Sequence, residues 1–395
     1  MYIMHQVHFR SILDNDFYKF TMQNAVVKLF PAETVRYEFI NRGKHHFPEG
    51  FAQELRSAIE AMAELKLTKA EKKFLQETCP YLELPYLDFL EGYRYDPSEV
   101  TVDDSGEDLK VTVAGNWYRT ILWEVPLLAL ISELHYEMNR MERDSNEEVI
   151  ENTLHKARKL DQLNVTFAEF GTRRRHSYAV HDLVVKSLIQ NKNSKFIGSS
   201  NVHFAMKYGV KPIGTHAHEW FMFHAAEFGF KMSNEIALEN WVNVYRGDLG
   251  VALSDTYTTE VFFQQFDKKF AKLFDGVRHD SGDPLEFADK TIAHYQKNGI
   301  NPLFKFIIFS DGLNLEKVEE ITNYCRGKIG ISFGIGTNLT NDVGLKPMNI
   351  VMKLTGVRAG YGDWIPTVKL SDERGKYTGD LKMIELAKEF LRIKE

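Results

Sequence analysis

From Phe167 to Thr337 the chain repeats one device: a short apolar run ends in a small or acidic polar cluster, and a helical segment precedes the next run. Phe167-Ala168-Glu169-Phe170 leads into Gly171-Thr172-Arg173, Phe196-Ile197 into Gly198-Ser199-Ser200-Asn201, and Pro212-Ile213 into Gly214-Thr215-His216-Ala217-His218. Val251-Ala252-Leu253 leads into Ser254-Asp255, and Gly276-Val277-Arg278-His279 into Asp280-Ser281-Gly282-Asp283. Phe306-Ile307-Ile308-Phe309 ends in Ser310-Asp311-Gly312, and Ile329-Gly330-Ile331-Ser332-Phe333 in Gly334-Ile335-Gly336-Thr337. Runs of this kind read as parallel strands covered on both faces, and polar residues at their C-terminal ends are where α/β folds gather ligand contacts. Most intervals between the clusters fit one strand plus one helix. Because about seven strand ends must be brought together, an α/β barrel is favoured; a doubly wound open sheet, where only ends beside the switch point share a site, is the alternative.

The rest of the chain has a different texture. Over residues 1–150, Val35 to Ile40 alternates like a strand, and Glu99 to Val102 and Leu109 to Val113 flank the turn Asp103-Asp104-Ser105-Gly106 like a hairpin. Phe51 to Leu65 and Lys69 to Leu75 have helical periodicity, and Thr120 to Met141 reads as one longer helix with Pro126 in its early turns. Residues 1–150 are therefore an α+β unit, and residues 151–344 carry the barrel. In the tail, residues 345–395, Met348 to Leu370 alternates again around glycines 356 to 362, a hairpin expected to return to the first unit.

Composition excludes several classes. A net charge of −6 argues against a broad nucleic-acid surface, so an anionic ligand needs local positive sites. Cys79 and Cys325 are too few for a disulfide framework and lack zinc-site spacing. The apolar stretch from Ile121 to Ile131 is interrupted by Glu124 and Pro126, short of the roughly 20 residues that span a bilayer. Met1 to Arg10 lacks the apolar run of a secretory signal, and a cytoplasmic protein is expected.

The densest polar constellation is Gly214-Thr215-His216-Ala217-His218-Glu219-Trp220, where a strand gives way to a helix. A helix start presents free N–H groups suited to phosphate, and neutral imidazole is a nucleophile near pH 7. His218 could accept a phosphoryl group, with Glu219 supplying the carboxylate that orients its ring. The alternatives are hydrogen-bonded helix-start histidines or a metal pair, although His216 and His218 at i, i+2 do not share a helical face. Gly334-Ile335-Gly336-Thr337 is a strand entering a glycine-rich turn, which lets backbone approach a phosphate. Asp255, Asp280, Asp283 and Asp311 stand at strand ends, where carboxylates hold Mg²⁺ or ribose hydroxyls, or simply cap the next helix. Arg278 lies in an otherwise buried strand and calls for an anion, either a ligand or a core aspartate. Arg173-Arg174-Arg175-His176 forms a local positive cluster or a solvated run, and Asp14-Asn15-Asp16-Phe17-Tyr18-Lys19 opens a helix with an acidic cap.

Taken in order, these segments resemble nicotinate phosphoribosyltransferase, of the type II phosphoribosyltransferase family. The resemblance also rests on Ile121-Leu122-Trp123-Glu124-Val125-Pro126-Leu127-Leu128 and runs along nearly the whole chain. It implies an irregular, incomplete α/β barrel of about seven strands with an α+β open-faced sandwich. It implies that nicotinate, phosphoribosyl pyrophosphate, ATP and water give nicotinate mononucleotide, pyrophosphate, ADP and phosphate, a ligase-type step in NAD biosynthesis with Mg²⁺. The phosphorylated histidine is the one before the glutamate, here His218. Tyr18 would stack on the pyridine ring, Thr215 would line the nicotinate site, and Arg278 with one of the arginine cluster, Arg173 foremost, would face substrate anions. Gly334, Gly336 and Thr337 would bind the ribose 5-phosphate, and Asp280 and Asp311 would meet ribose or Mg²⁺. A monomer or homodimer is expected.

Within the same class, the nicotinamide and quinolinate phosphoribosyltransferases are the rivals. The arginine cluster leans toward a carboxylate substrate, and the quinolinate enzyme does not couple to ATP. A catalytically silent phosphometabolite-binding regulator is the reading from another class. It predicts losses among His218, Arg278 and the Gly334–Thr337 turn, and all of these are present.

Overall fold

The computed structural model describes residues 8–106, 108–191, 194–360 and 362–393. Its strands, in chain order, begin with β1 (Thr34–Asn41), β2 (Val100–Asp103) and β3 (Lys110–Asn116). Then come β4 (Thr166–Glu169), β5 (Phe196–Ser199), β6 (Lys211–Pro212), β7 (Arg246–Leu249), β8 (Val251–Leu253), β9 (Gly276–His279), β10 (Phe306–Phe309) and β11 (Gly330–Ile335). β12 (Ile350–Arg358) and β13 (Ile365–Pro366) lie in the tail.

The seven apolar runs form one parallel sheet in the order β6-β5-β4-β11-β10-β9-β8. Phe167, Val277, Ile307, Phe309 and Phe333 are buried in it, as strands covered on both faces must be. The sheet curls into an incomplete barrel whose edges are β6 and β8. Two side-chain bonds span that gap. Thr215 Oγ1 donates to the Val251 carbonyl at 3.2 Å, and the Leu253 N–H donates to His216 Nε2 at 3.3 Å. The loop after β6 thus stands where a further strand would close the ring.

The second sheet is antiparallel, in the order β13-β12-β1-β3-β2. β12 of the tail pairs with β1 from Thr34↔Arg358 to Asn41↔Ile350, with an irregularity at Arg36/Tyr37. Ile350, Met352 and Leu354 of β12, with Val35, Tyr37 and Phe39 of β1, are buried, and the alternate residues are more open, the pattern of a sheet covered on one face. The helix Glu124–Met138 is buried through Tyr136 and packs on β12 and on the Thr172–Arg174 turn, joining the two sheets.

Three local expectations are corrected. The segment from Thr120 to Met141 is two helices' worth of chain: Trp117–Thr120 ends before Glu124–Met138 begins, with Pro126 in the first turn, where its missing N–H costs nothing. Arg140 beyond it is left-handed, φ 49°. Phe51–Ala61 ends in a 3₁₀ turn, Met62–Glu64. Asp16 precedes the helix Phe17–Leu29 but makes no capping bond; its carboxylate accepts from Ser200 Oγ at 2.7 Å, and the Phe17 N–H donates to Ser200 O at 2.6 Å. The end of β5 has outcompeted the local cap, and this plants Tyr18 at the barrel mouth. No helix among the described residues is long and apolar enough to cross a membrane.

Candidate active site

The loops after the parallel strands enclose a cavity of about 650 Å³. Tyr18, Arg173, Thr215, Arg278, Asp280, Gly334, Gly336 and Thr337 all line it. Gly214 makes this convergence possible: its φ is +156°, and a Cβ there would meet the Tyr18 nitrogen at 2.8 Å. His218 stands behind Asp280. Asp311 does not join them, because Lys376 from the tail binds both of its oxygens, at 3.0 and 3.1 Å. The structure places Asp311 at Lys376 rather than on the cavity lining, which corrects only its expected position among the other site residues.

His218 begins the helix His218–Phe228. Its Nε2 lies 3.0 Å from Asp280 Oδ2 and 3.7 Å from Asp255 Oδ1, and its Nδ1 lies 3.0 Å from Thr256 Oγ1. Asp280 also meets Arg278 at 3.0 Å and accepts from Ser310 Oγ at 2.6 Å. Burial works against charge on Asp280, yet Arg278 and His218 outweigh it and hold the carboxyl well below its usual range. Burial, then Lys369, pushes the His218 imidazole down to about 4, against the pull of Asp255 and Asp280. The ring is therefore neutral at pH 7. An ionised carboxylate only accepts, so Nε2 carries the proton and the Nδ1 lone pair faces the Thr256 hydroxyl.

Glu219 does not orient His218, a second correction. Adjacent residues on a helix point apart, and Glu219 Oε2 takes Lys19 Nζ at 2.5 Å while its other oxygen faces the Tyr37 hydroxyl at 3.5 Å. Asp280, from the end of β9, holds the ring instead, and Asp255, from the end of β8, faces it at 3.7 Å. His216 is packed edge-on against Phe221 and Trp241, and burial with Arg278 pushes it down to about 3, so it stays a neutral acceptor for the Leu253 amide.

The three arginines after β4 part company. Arg175 is buried in ion pairs with Glu133 at 2.6 Å and Asp14 at 2.7 Å, so its work is structural. Arg173 and Arg174 line the cavity. Arg173 lies 3.6 Å from Glu124 and 4.0 Å from Asp16, beyond hydrogen-bond reach of either. Beside it, Tyr18 is buried with its hydroxyl unbonded. On the neighbouring strand β11, Gly334 faces the Phe170 ring. The turn from Gly336 is braced by Lys156 Nζ on Asn338 O at 2.5 Å and Asn341 Nδ2 on Arg174 O at 2.8 Å.

Among the described residues, His218, Asp255 and Asp280 offer donor atoms within 4.8 Å of one another, and Asp255 Oδ1 is buried without a hydrogen bond. Hard carboxylate oxygens suit Mg²⁺. Sequence reasoning counted Asp255 among the acids able to hold Mg²⁺ without singling it out, and assigned nothing to Thr256 or Lys369. Asp255 is one strand-end acid among four, Thr256 has no local mark, and Lys369, 3.6 Å from Asp255, arrives from the tail.

The chain matches the nicotinate phosphoribosyltransferase (NAPRTase) N-terminal domain over residues 13–132 and the nicotinate phosphoribosyltransferase (NAPRTase) family over residues 165–395. It is 61% identical over 383 residues to the nicotinate phosphoribosyltransferase of Chromohalobacter salexigens, covering 97% of this chain and 98% of the relative. The crystal structure of nicotinate phosphoribosyltransferase from Porphyromonas gingivalis superposes with a TM-score of 0.95 at 48% identity, over 98% of this chain and 100% of that one. The one from Vibrio cholerae gives 0.91 at 35% identity, over 98% and 94%. Matched along both of its parts and at these identities, the chain belongs to the nicotinate phosphoribosyltransferase family.

Proposed function

We propose that the chain joins nicotinate to phosphoribosyl pyrophosphate, giving nicotinate mononucleotide and pyrophosphate in pyridine nucleotide and NAD biosynthesis, and that ATP hydrolysis through phosphorylated His218 drives the step. One observation carries the reading: through Asp280, His218 adjoins the same cavity that Tyr18, Arg173 and the glycine-rich turn line.

The neutral Nδ1 of His218 attacks the γ-phosphorus of ATP and ADP departs. The Nε2 proton stays on the ring, and Asp280 and Asp255 stabilise the positive charge that forms. In the transfer step the pyridine nitrogen attacks ribose C1 as pyrophosphate leaves, with oxocarbenium character. The protein's work there is positioning and charge stabilisation. Tyr18 stacks on the pyridine ring, and Thr215 lines its pocket. Arg173, next to Tyr18, faces the carboxylate. Arg278 faces a substrate anion on the His218 side, and Gly334, Gly336 and Thr337 cradle the ribose 5-phosphate. Asp255 and Asp280 would hold Mg²⁺, which when bound neutralises charge on the departing pyrophosphate. Hydrolysis of the phosphohistidine resets the enzyme, and coupling requires the phosphorylated state to bind substrate and product differently.

The test is His218→Asn with γ-labelled ATP, alongside product analysis from nicotinate, phosphoribosyl pyrophosphate and Mg²⁺ with and without ATP. The variant is expected to stay unlabelled and to lose all ATP stimulation. Label that persists on it sinks the assignment, and a parent enzyme that uses only nicotinamide sinks the substrate.

A further inference from the structure

Arg173 ends a row of alternating charge whose other members, Glu124, Lys19 and Glu219, are buried and unused by the reaction above. Lys19 is 0% exposed, and its ammonium meets Glu124 Oε2 and Glu219 Oε2, each at 2.5 Å. The other oxygen of Glu124 faces the Arg173 guanidinium at 3.6 Å. Lys19 follows Tyr18 on the helix Phe17–Leu29, and the same helix reaches the Thr215 carbonyl through Thr21 Oγ1 at 2.5 Å.

Arg173 and Arg175 show what this arrangement decides. Both follow β4, and both have two carboxylates within 4.0 Å. Arg175 is locked by contacts of 2.6 and 2.7 Å, whereas Arg173 is held at 3.6 and 4.0 Å. All of these acids have other partners, and the difference lies in what those partners are: an amide, Asn201, at 2.7 Å on Asp14 and an imidazole, His8, at 3.2 Å on Glu133, but the Lys19 ammonium at 2.5 Å on Glu124. Glu124 thus already faces a full positive charge, whereas Asp16 accepts from Ser200 through Oδ1 and leaves Oδ2 without a bond, 4.0 Å from Arg173. Arg175, beside carboxylates shared with an amide and an imidazole, closes onto them with charge-assisted bonds. Arg173, whose nearer carboxylate already holds an ammonium, keeps donors for an incoming anion.

We propose that Lys19 is a positioning residue that sets how strongly the enzyme holds its anionic pyridine substrate: by occupying Glu124, it leaves the Arg173 guanidinium uncommitted. The proposal rests on the reading of Arg173 as the group that faces the nicotinate carboxylate. Lys353 also faces Glu124, behind Lys19 and Arg173 in its influence. Glu219 anchors the second side of Lys19 and ties the row to the helix that begins with His218.

The experiment compares Lys19→Met, Glu124→Gln and the double variant by steady-state kinetics, with a thermal melt on each. Lys19→Met frees Glu124 to capture Arg173, so the KM for nicotinate rises about tenfold or more, while the KM for phosphoribosyl pyrophosphate and kcat change much less. Adding Glu124→Gln removes the captor and brings the nicotinate KM back toward the parent value. A residue that only supports the fold gives no such rescue, because the double variant disturbs the buried row more than either single one. If Lys19→Met does not fold, Lys19→Met with Glu219→Gln removes one charge of each sign, leaves Glu124 unopposed, and is expected to raise the nicotinate KM equally. Equal KM values in the single and double variants, or a shift confined to phosphoribosyl pyrophosphate, overturn the proposal. A parent enzyme without nicotinate turnover overturns the functional reading itself, which separates the two failures.

Discussion

The two ends of the cavity use the same residue types to opposite effect. At the His218 end, the Asp280 carboxylate, the imidazole, Arg278 and Ser310 are knitted together at 2.6 to 3.0 Å, with Asp255 3.7 Å from the ring. At the Tyr18 end, Arg173 is left 3.6 and 4.0 Å from its nearest acids and the Tyr18 hydroxyl has no partner. A tight network fixes a tautomer and a protonation state, which suits a group that must react. A loose one keeps charge available, which suits a group that must bind. The contrast shows that polar residues lining one cavity divide into reacting and holding groups according to how completely the protein satisfies them.

Each half of that contrast can be broken. The largest effect is expected for Asp280→Asn, which removes the carboxylate that keeps the Nε2 proton in place; phosphoenzyme formation from labelled ATP should slow about a hundredfold or more, with nicotinate binding retained. Equal loss of both would mean the two ends do not act separately. Next comes acid stability. Burial pushes His216 and His224 down to about 3 and His218 to about 4, from an ordinary 6.5. Below that ordinary value the unfolded chain takes up protons that the folded chain refuses. The stability they contribute is therefore whole above about pH 6.5 and lost as pH falls toward about 4, by roughly 1.4 kcal/mol per pH unit for each histidine. Urea melts at several pH values read this directly, and a midpoint unchanged from neutral pH down to about pH 5 contradicts it. Because His218 stays neutral over the same window, its labelling rate, measured on folded protein, should not titrate there. Arg173→Gln comes third: it should raise the nicotinate KM about tenfold and spare the labelling of His218. The smallest expected effect is that of Thr256→Val, which strips one neutral hydrogen bond from Nδ1 and should alter the labelling rate by only several-fold.

Much of this architecture is legible in one pass along the chain. The parallel strands announce themselves as apolar runs, because a strand covered on both faces has no polar side to show, and the ligand-facing residues sit immediately after them. The tail's alternation from Ile350 to Leu354 marks a half-buried strand in the same way. What misleads is any step from neighbours in sequence to partners in space. Glu219 stands beside His218 and turns to Lys19. Asp16 precedes a helix and binds Ser200. Asp311 ends a barrel strand like Asp280, yet Lys376 takes it. In each case a distant group offers the carboxylate a better bond than the local one.

Burial patterns and strand-end chemistry are written in residues a few positions apart, since they depend on the period of a strand or a helix, and these the chain declares unaided. The pairings that give the site its character join residues far apart: 62 positions separate His218 from Asp280, and 200 separate Lys19 from Glu219. Folding alone chose among four strand-end aspartates and three consecutive arginines, because a buried charge is settled by whichever opposite charge the packing brings within about 3 Å, and no local pattern records that choice.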